Sequence, residues 1–362
     1  MPEGQKKGVT AAAPAPRAKM GPLPATALSP TENAVLWTCR AGFEGHLFEE
    51  LAWASEQPRA LGAALIESRR FPARPPAFGR MGFTVERVLT GTRTELAASA
   101  AKQILSSRAA SQPFHLQVWA PDLEGLAGQH TLARELLDLL RAQLPAALLL
   151  ESPEQARLKG GALVQLCCLD RDRVAVGPVR ARDAVSLGEG GRRRMQRTQD
   201  SASRAAMKLE EALDWMALEP GKGEQCVDLG AAPGGWTERL ISRGARVVAV
   251  DPAKLLPALA NHRRVTHIQQ SAFAFEPEEP ADWLFCDMAW RPLEVAQLLA
   301  KWARRDWALH LVANIKLPMK DKNPILRRVR ELLEGGGWRE VRMRQLYHDR
   351  DEVTVLAVNL PG

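Results

Sequence analysis

Cysteine is scarce in this chain, and none of it is placed for chemistry. The 362 residues hold five: Cys39, Cys167, Cys168, Cys226 and Cys286. No pair has CxxC spacing and each sits in an apolar, strand-like run. That excludes a zinc site built with nearby histidine, and buried free thiols in a reducing compartment are expected. His46, His115 and His130 are isolated and read as structural or surface residues. No apolar run is long enough to span a membrane and the N-terminus lacks a signal-peptide apolar region, so a cytoplasmic protein is expected. Gly-x-Gly-x-x-Gly is missing, which removes the dinucleotide fingerprint of a dehydrogenase. Gly-Lys-Ser/Thr is missing too, which removes a phosphate loop.

What is present is a modest basic excess, 49 Lys and Arg against 42 acids. That balance suits a polyanionic partner without requiring one. The length suggests two domains and a tail. Residues 1–32 are rich in Ala and Pro and carry Lys6, Lys7, Arg17 and Lys19; they cannot bury a core and are expected to be disordered.

Residues 33–180 read as an α/β region with no catalytic cluster. Strands are expected over Ala34–Cys39, Ala60–Ile66, Gly82–Leu89 and Phe114–Trp119, the last as an alternation of inward and outward residues. Helices are expected over Phe43–Ser55, Glu95–Ser107 and Leu132–Leu144. Ala162–Leu169 and Arg173–Val179 read as a hairpin turning at Asp170-Arg171-Asp172. Residues 181–202 form a basic linker within a wider arginine-rich run. Arg180, Arg182, Arg192, Arg193, Arg194, Arg197 and Arg204 crowd a Gly-rich stretch with little reason to pack inward, as either a phosphate track or a charged linker. Ser201 or Ser203 can cap the helix that follows, which carries Lys208.

From residue 203 onward the pattern alternates strictly. Strands Cys226–Leu229, Arg246–Asp251, Val265–Gln270, Trp283–Asp287 and Ala308–Leu317 alternate with helices, and Trp338–Tyr347 and Glu352–Asn359 close as an antiparallel pair. This is a Rossmann-like, doubly wound α/β sheet, whose ligands bind at the carboxyl ends of its strands. The first strand runs into Gly230-Ala231-Ala232-Pro233-Gly234-Gly235-Trp236-Thr237. Strand, glycine loop and helix form the local geometry that takes an adenosyl cofactor, because residues without a Cβ allow close backbone approach. Pro233 suits the first turn of the helix.

Three acids, Asp228, Asp251 and Asp287, stand near strand ends. Asp251 is placed to accept hydrogen bonds from both ribose hydroxyls of such a cofactor, and Asp287 to face a sulfonium. Lys316 ends the fifth strand and Glu352 starts the last. A lysine at the end of a buried strand is costly unless paired. This topology can bring Lys208, Asp287, Lys316 and Glu352 to one pocket, as two cations and two anions. Like-charge repulsion and partial burial there can lower the pKa of one lysine.

The run Asp228 to Trp236, together with Lys208, Asp287, Lys316 and Glu352, resembles the FtsJ-like ribose 2′-O-methyltransferases and their Lys-Asp-Lys-Glu tetrad. The stretches Ser203 to Ala212, Cys286 to Met288, Lys316 to Lys320 and Gln345 to Val355 resemble a bacterial branch that methylates the 2′-hydroxyl of a cytidine in 23S ribosomal RNA. Cys39 to Glu44 resembles the start of that branch. The likeness is close over residues 200–358 and looser before them.

The resemblance implies a THUMP-type RNA-binding region over 33–180, a monomer, and no metal. It implies S-adenosyl-L-methionine lined by Ser203, Ala232, Pro233, Gly234, Gly235, Asp251, Ser271 and Asp287. Lys316 is then the general base; Lys208 lowers its pKa, and Asp287 and Glu352 orient the lysines. The chain departs from the family at Ser271, where an adenine-contacting acid is usual, and at Ala232, where near members carry cysteine.

The rival readings are a non-catalytic RNA-binding assembly factor, which the intact tetrad disfavours, and a 2′-O-methyltransferase acting on another RNA. Amino-group methylation would call for Asn/Asp-Pro-Pro-aromatic where Asp287-Met288-Ala289-Trp290 stands. Cytosine C5 chemistry would call for a nucleophilic cysteine, whereas Cys286 precedes Asp287 and points to the core. Trp236 and Trp290 read as core or rim packing rather than base stacking.

Overall fold

The computed structural model describes residues 27–123, 125–192 and 204–360. Ser201, Ser203, Arg193, Arg194 and Arg197 lie outside the described residues. The structure corrects the end of the expected tail. Leu28 N–H donates to the Leu61 carbonyl at 2.7 Å, and Thr31 N–H donates to Glu67 Oε2 at 2.8 Å.

The first half holds two four-stranded sheets. One orders β2 (Arg59–Gly62), β3 (Leu65–Ser68), β1 (Val35–Thr38) and β4 (Met81–Thr84). The other orders β5 (Arg87–Thr90), β8 (Arg173–Arg180), β7 (Ala162–Cys168) and β6 (His115–Trp119). Four helices accompany them: α1 (Glu44–Trp53), α2 (Arg93–Ser106), α3 (Ala127–Gln143) and α4 (Pro153–Leu158).

Two expected strands are corrected. The run expected over Ala60–Ile66 is a hairpin, β2 and β3, turning where Ala64 adopts φ 59°. The run expected over Gly82–Leu89 breaks at Val85–Glu86 and feeds both sheets, β4 into one and β5 into the other. Every residue of β6 is buried, so it has no solvent face and its alternation is between two packed layers. The expected hairpin of β7 and β8 is present.

The arginine-rich run packs inward over its first part. Val185, Gly190 and Gly191 are buried, and Arg192 donates to the Ala120 carbonyl at 2.9 Å.

The second half is one seven-stranded sheet. Its strands are β9 (Gln225–Leu229), β10 (Arg246–Val250), β11 (Val265–Ile268), β12 (Ala281–Cys286), β13 (Ala308–Lys316), β14 (Arg339–Arg344) and β15 (Glu352–Val358). They order as β11-β10-β9-β12-β13-β15-β14. β9 to β13 are parallel, and β15 runs antiparallel between β13 and β14. The helices are α5 (Arg204–Met216), α6 (Gly235–Ser242), α7 (Pro257–Ala260), α8 (Pro292–Arg304) and α9 (Lys322–Gly336). α5 and α6 pack on one face through Leu209, Leu213 and Leu240; α8 and α9 pack on the other through Leu299, Trp302 and Leu333. Apolar strands covered on both faces need such a double layer. α6 starts at Gly235 rather than at Pro233, which precedes its cap.

The two halves share a core. Trp37, Phe43 and Leu47 of the first belong to the same buried cluster as Leu299 and Trp302 of the second. Asn323 adds two bonds across the joint, to the His46 carbonyl and to Glu49, both at 2.9 Å. No described helix is long and apolar enough to cross a membrane.

Candidate active site

The winding of the sheet reverses between β9 and β12, so their carboxyl ends border a crevice. β9 leaves the sheet over Gly230, whose φ is 80° and whose missing Cβ would lie 2.8 Å from Met288 Cγ. The loops after β9 and β12 can pass only with glycine there. The loop then reaches Gly234, at φ 120°, where a Cβ would run into Leu259 Cδ1.

Asp251 follows β10 and braces this loop. Its Oδ2 accepts Ala232 N–H at 3.1 Å and its Oδ1 accepts Ala253 N–H at 2.7 Å. Each oxygen keeps a lone pair for a ligand hydroxyl. Ser271 is exposed on the loop after β11 and accepts Phe273 N–H at 3.3 Å. The edge therefore carries, in strand order, Ser271, Asp251, the 230–235 loop and Asp287. A loop of glycine and small residues between two carboxylates could hold an adenosyl group bearing positive charge.

Asp228 does not join that edge. It is buried in β9 and accepts the Thr237 hydroxyl at 2.7 Å, so it ties α6 to the sheet. Burial pushes its carboxyl up to about 7.

The four charged residues do meet. Antiparallel register sets Lys316 of β13 opposite Glu352 of β15. Asp287, just past β12, lies beside them. Lys316 Nζ contacts Asp287 Oδ1 at 2.6 Å and also Glu352 Oε2. Lys208, from α5, takes the other Glu352 oxygen, Oε1. The side chains of Glu352 and Lys208 are 7% and 9% exposed, whereas Lys316 is 30% exposed. Asp287 is 17% exposed, so Lys316 is the most open of the four.

Lys316 is held as an ammonium. Burial alone would lower its pKa, but Asp287 and Glu352 outweigh burial and raise it above the ordinary lysine value. The expected lowering by Lys208 is not seen, because Glu352 lies between the two lysines and takes one on each oxygen. Burial pushes the Glu352 carboxyl up, and the two ammoniums reverse that to leave it below the usual range.

The stretch 201–313 matches the FtsJ-like methyltransferase family. The ribosomal RNA large subunit methyltransferase M of Azotobacter vinelandii is 31% identical over 91% of this chain and 99% of that protein. The chain belongs to this methyltransferase M family. The protein of the same name from Xylella fastidiosa (strain M12) is 39% identical over 63% of this chain, and that match spans 66% of its length. Among solved structures, a fibrillarin pre-rRNA processing protein of Methanococcus jannaschii is 20% identical, covering 48% of this chain and 86% of that one at a TM-score of 0.36. The strand order, not this likeness, carries the fold.

Residues outside the tetrad support it. Glu211 of α5 accepts Tyr347 N–H at 2.8 Å and His348 N–H at 3.4 Å, fixing the loop that leads into β15. Asn314, Thr354 and Asp349 form a buried polar layer directly behind the tetrad. The available signal was a polar residue inside each buried strand, Asn314 in β13 and Thr354 in β15, which needs a partner. Trp236 is core, donating to the Ala205 carbonyl at 2.8 Å, and Trp290 is rim, 51% exposed. Cys286 is buried, and its thiol is pushed up to about 12 by that burial.

A cleft of about 1300 Å³ runs between the halves, lined by Arg74, Arg108, Arg180, Arg182, Arg330 and Arg342 among others. No cluster of metal-binding side chains occurs among the described residues.

Proposed function

We propose that this chain uses S-adenosyl-L-methionine to methylate the ribose 2′-hydroxyl of a cytidine in 23S ribosomal RNA, with Lys316 as general base. The observation that carries the reading is Lys316 Nζ, seated on Asp287 and Glu352 and the most open of the four charges, with Lys208 and Glu352 buried. Membership of the methyltransferase M family supports the substrate. When bound, the cofactor supplies an electrophilic methyl group on a sulfonium.

The protein's own residues supply the rest. The 230–235 loop and Asp251 hold the nucleoside end, with Ser271 near the base and Ser203 as a further contact. Asp287 faces the positive charge. A cation beside Asp287 would loosen its hold on the Lys316 ammonium; Nζ would then release one proton to solvent and, neutral, take the 2′-hydroxyl proton. Glu352 keeps both lysines in place, and Lys208 neutralises it from the far side. A positioned base of this kind is worth about 10²–10⁴-fold, and alignment of the two reactants adds to it. Residues 33–180 serve as a THUMP-type RNA-binding region, and the arginine-lined cleft and the basic linker over 181–202 are phosphate contacts.

The test is methyl transfer from labelled S-adenosyl-L-methionine to ribosomal RNA from cells lacking the activity, with the product digested to nucleosides. Label in 2′-O-methylcytidine from the large-subunit RNA is expected. Label in a methylated base would overturn the tetrad reading, and cofactor binding without transfer to any RNA would favour an assembly factor.

A further inference from the structure

Behind the tetrad stands one more acid. Asp349 is fully buried. Its Oδ2 accepts Leu346 N–H at 2.8 Å and lies 3.2 Å from Thr354 Oγ1; its Oδ1 has no partner among the described residues. Thr354 Oγ1 lies 2.7 Å from Asn314 Oδ1, and Asn314 Nδ2 lies 3.4 Å from Asp287 Oδ1, the oxygen that Lys316 grips.

The amide orientation follows from its neighbour. A carboxylate only accepts, so Asn314 presents its NH₂ to Asp287 and its carbonyl to Thr354. That carbonyl also only accepts, so the single hydroxyl hydrogen of Thr354 is committed to it. The contact between Thr354 and Asp349 must then take its hydrogen from Asp349.

We propose that Asp349 is a positioning residue that works as a neutral carboxylic acid, fixing through Thr354 and Asn314 the Asp287 carboxylate that holds Lys316. This rests on the methyl-transfer reading above. The surroundings agree with a neutral group. Burial, with Glu352 and Glu211 nearby, pushes the acid up to about 8 against the pull of Leu346 N–H and Lys208. Arg40 bonds the Asp349 backbone carbonyl, at 2.6 Å. Ionisation would set a further negative charge beside Glu352 and Glu211 and would leave Thr354 without its donor. Asparagine cannot substitute. One hydroxyl oxygen of the acid both accepts from Leu346 and donates to Thr354, which neither amide atom does.

Steady-state methyl transfer by Thr354→Val, Thr354→Ser, Asp349→Asn and the double variant T354V/D349N tests the relay, together with a carbon-13 carboxyl NMR titration of aspartate-labelled protein. Thr354→Val is expected to lower kcat about tenfold by misaligning Lys316, with the cofactor KM within about twofold. Thr354→Ser keeps the hydroxyl and is expected within about twofold of native. Asp349→Asn is expected to match Thr354→Val, and the double variant to lose no more than either, because both cut one chain. The carboxyl signal that Asp349→Asn removes, or that Thr354→Val shifts should the former not fold, is expected to remain protonated at pH 6. Native kcat in Thr354→Val, additive losses, or a signal ionising near the ordinary value of about 4 would overturn the proposal. Should the native protein transfer no methyl group, the functional reading fails on its own, and the titration still decides the state of Asp349.

Discussion

Replacing Glu352 by glutamine removes the carboxylate that two lysines share, and the consequence can be worked from burial. Lys208 has no other carboxylate among the contacts of the described residues, and its side chain is 9% exposed. Lys316 keeps Asp287 and is 30% exposed, so water screens much of its loss. Breaking a buried pair by deleting one partner costs about 3–5 kcal/mol. With the Lys316 share discounted, about 3 kcal/mol is expected from Lys208 alone.

The pH dependence has a definite sign. The folded-state pKa of Glu352 lies below its ordinary value. Its stabilisation is therefore complete above the unfolded value of about 4.3 and is lost as pH falls through the folded value. Urea denaturation of native protein and Glu352→Gln at pH 7 and at pH 3 reads both effects. A gap of about 3 kcal/mol at neutral pH that narrows in acid is expected. A gap under about 1 kcal/mol at pH 7, the range of an exposed ion pair, or one unchanged by acid, would refute the reasoning.

Gly234→Ala forces a Cβ into Leu259 at a φ of 120° that side chains rarely adopt. It should cost about 1–3 kcal/mol of stability, and calorimetric titration should show cofactor affinity weakened at least about tenfold. Lys316 is held as an ammonium by Asp287 and Glu352, so kcat/KM for the cofactor should rise with pH up to the lysine range, whereas kcat should level off at lower pH; coincident profiles would contradict the shared role of Asp287. Arg40→Ala removes a bond of 2.6 Å to the Asp349 carbonyl. Amide exchange at Leu346 and Tyr347 should quicken about tenfold, the equivalent of one hydrogen bond.

The second half of the fold was legible because its strands are short apolar runs that end in chemistry: Leu229 before Gly230, Val250 before Asp251, Cys286 before Asp287, and Lys316 closing β13. The tetrad followed from that order, since strand ends share one edge. The first half was less legible, for local reasons. Gly82–Leu89 has one unbroken strand pattern, but Gly177 of β8 leaves room for the Thr84 carbonyl, and Glu86 N–H bonds Val176 at 2.8 Å, so the chain changes sheets there. Period-2 alternation says nothing of which sheet a residue joins. The turn between β2 and β3 uses Ala64 in the left-handed region, with no Asn-Gly or Asp-Gly to announce it. α4 does carry a start signal in sequence: Ser152 accepts Gln155 N–H at 3.2 Å, with Pro153 at the first helical position. The direction of the Lys316 shift was not legible, because residue types do not tell which oxygen each lysine takes.

The N-terminal half also reaches the active-site loop. Arg80 lies 5.0 Å from the Tyr347 ring centroid, and Gln345 N–H donates to the Ala77 carbonyl at 2.7 Å. The loop that carries Asp349 is therefore held by the half proposed to bind RNA.

The central claim is that Lys316 takes the proton from the attacking hydroxyl, and the most direct measurement is single-turnover methyl transfer by Lys316→Ala with cofactor affinity measured in parallel. The account predicts a loss of at least about 10²-fold in the transfer rate, with the cofactor dissociation constant within about threefold of native, because the 230–235 loop and Asp251 are untouched. Transfer at the native rate by Lys316→Ala would contradict it.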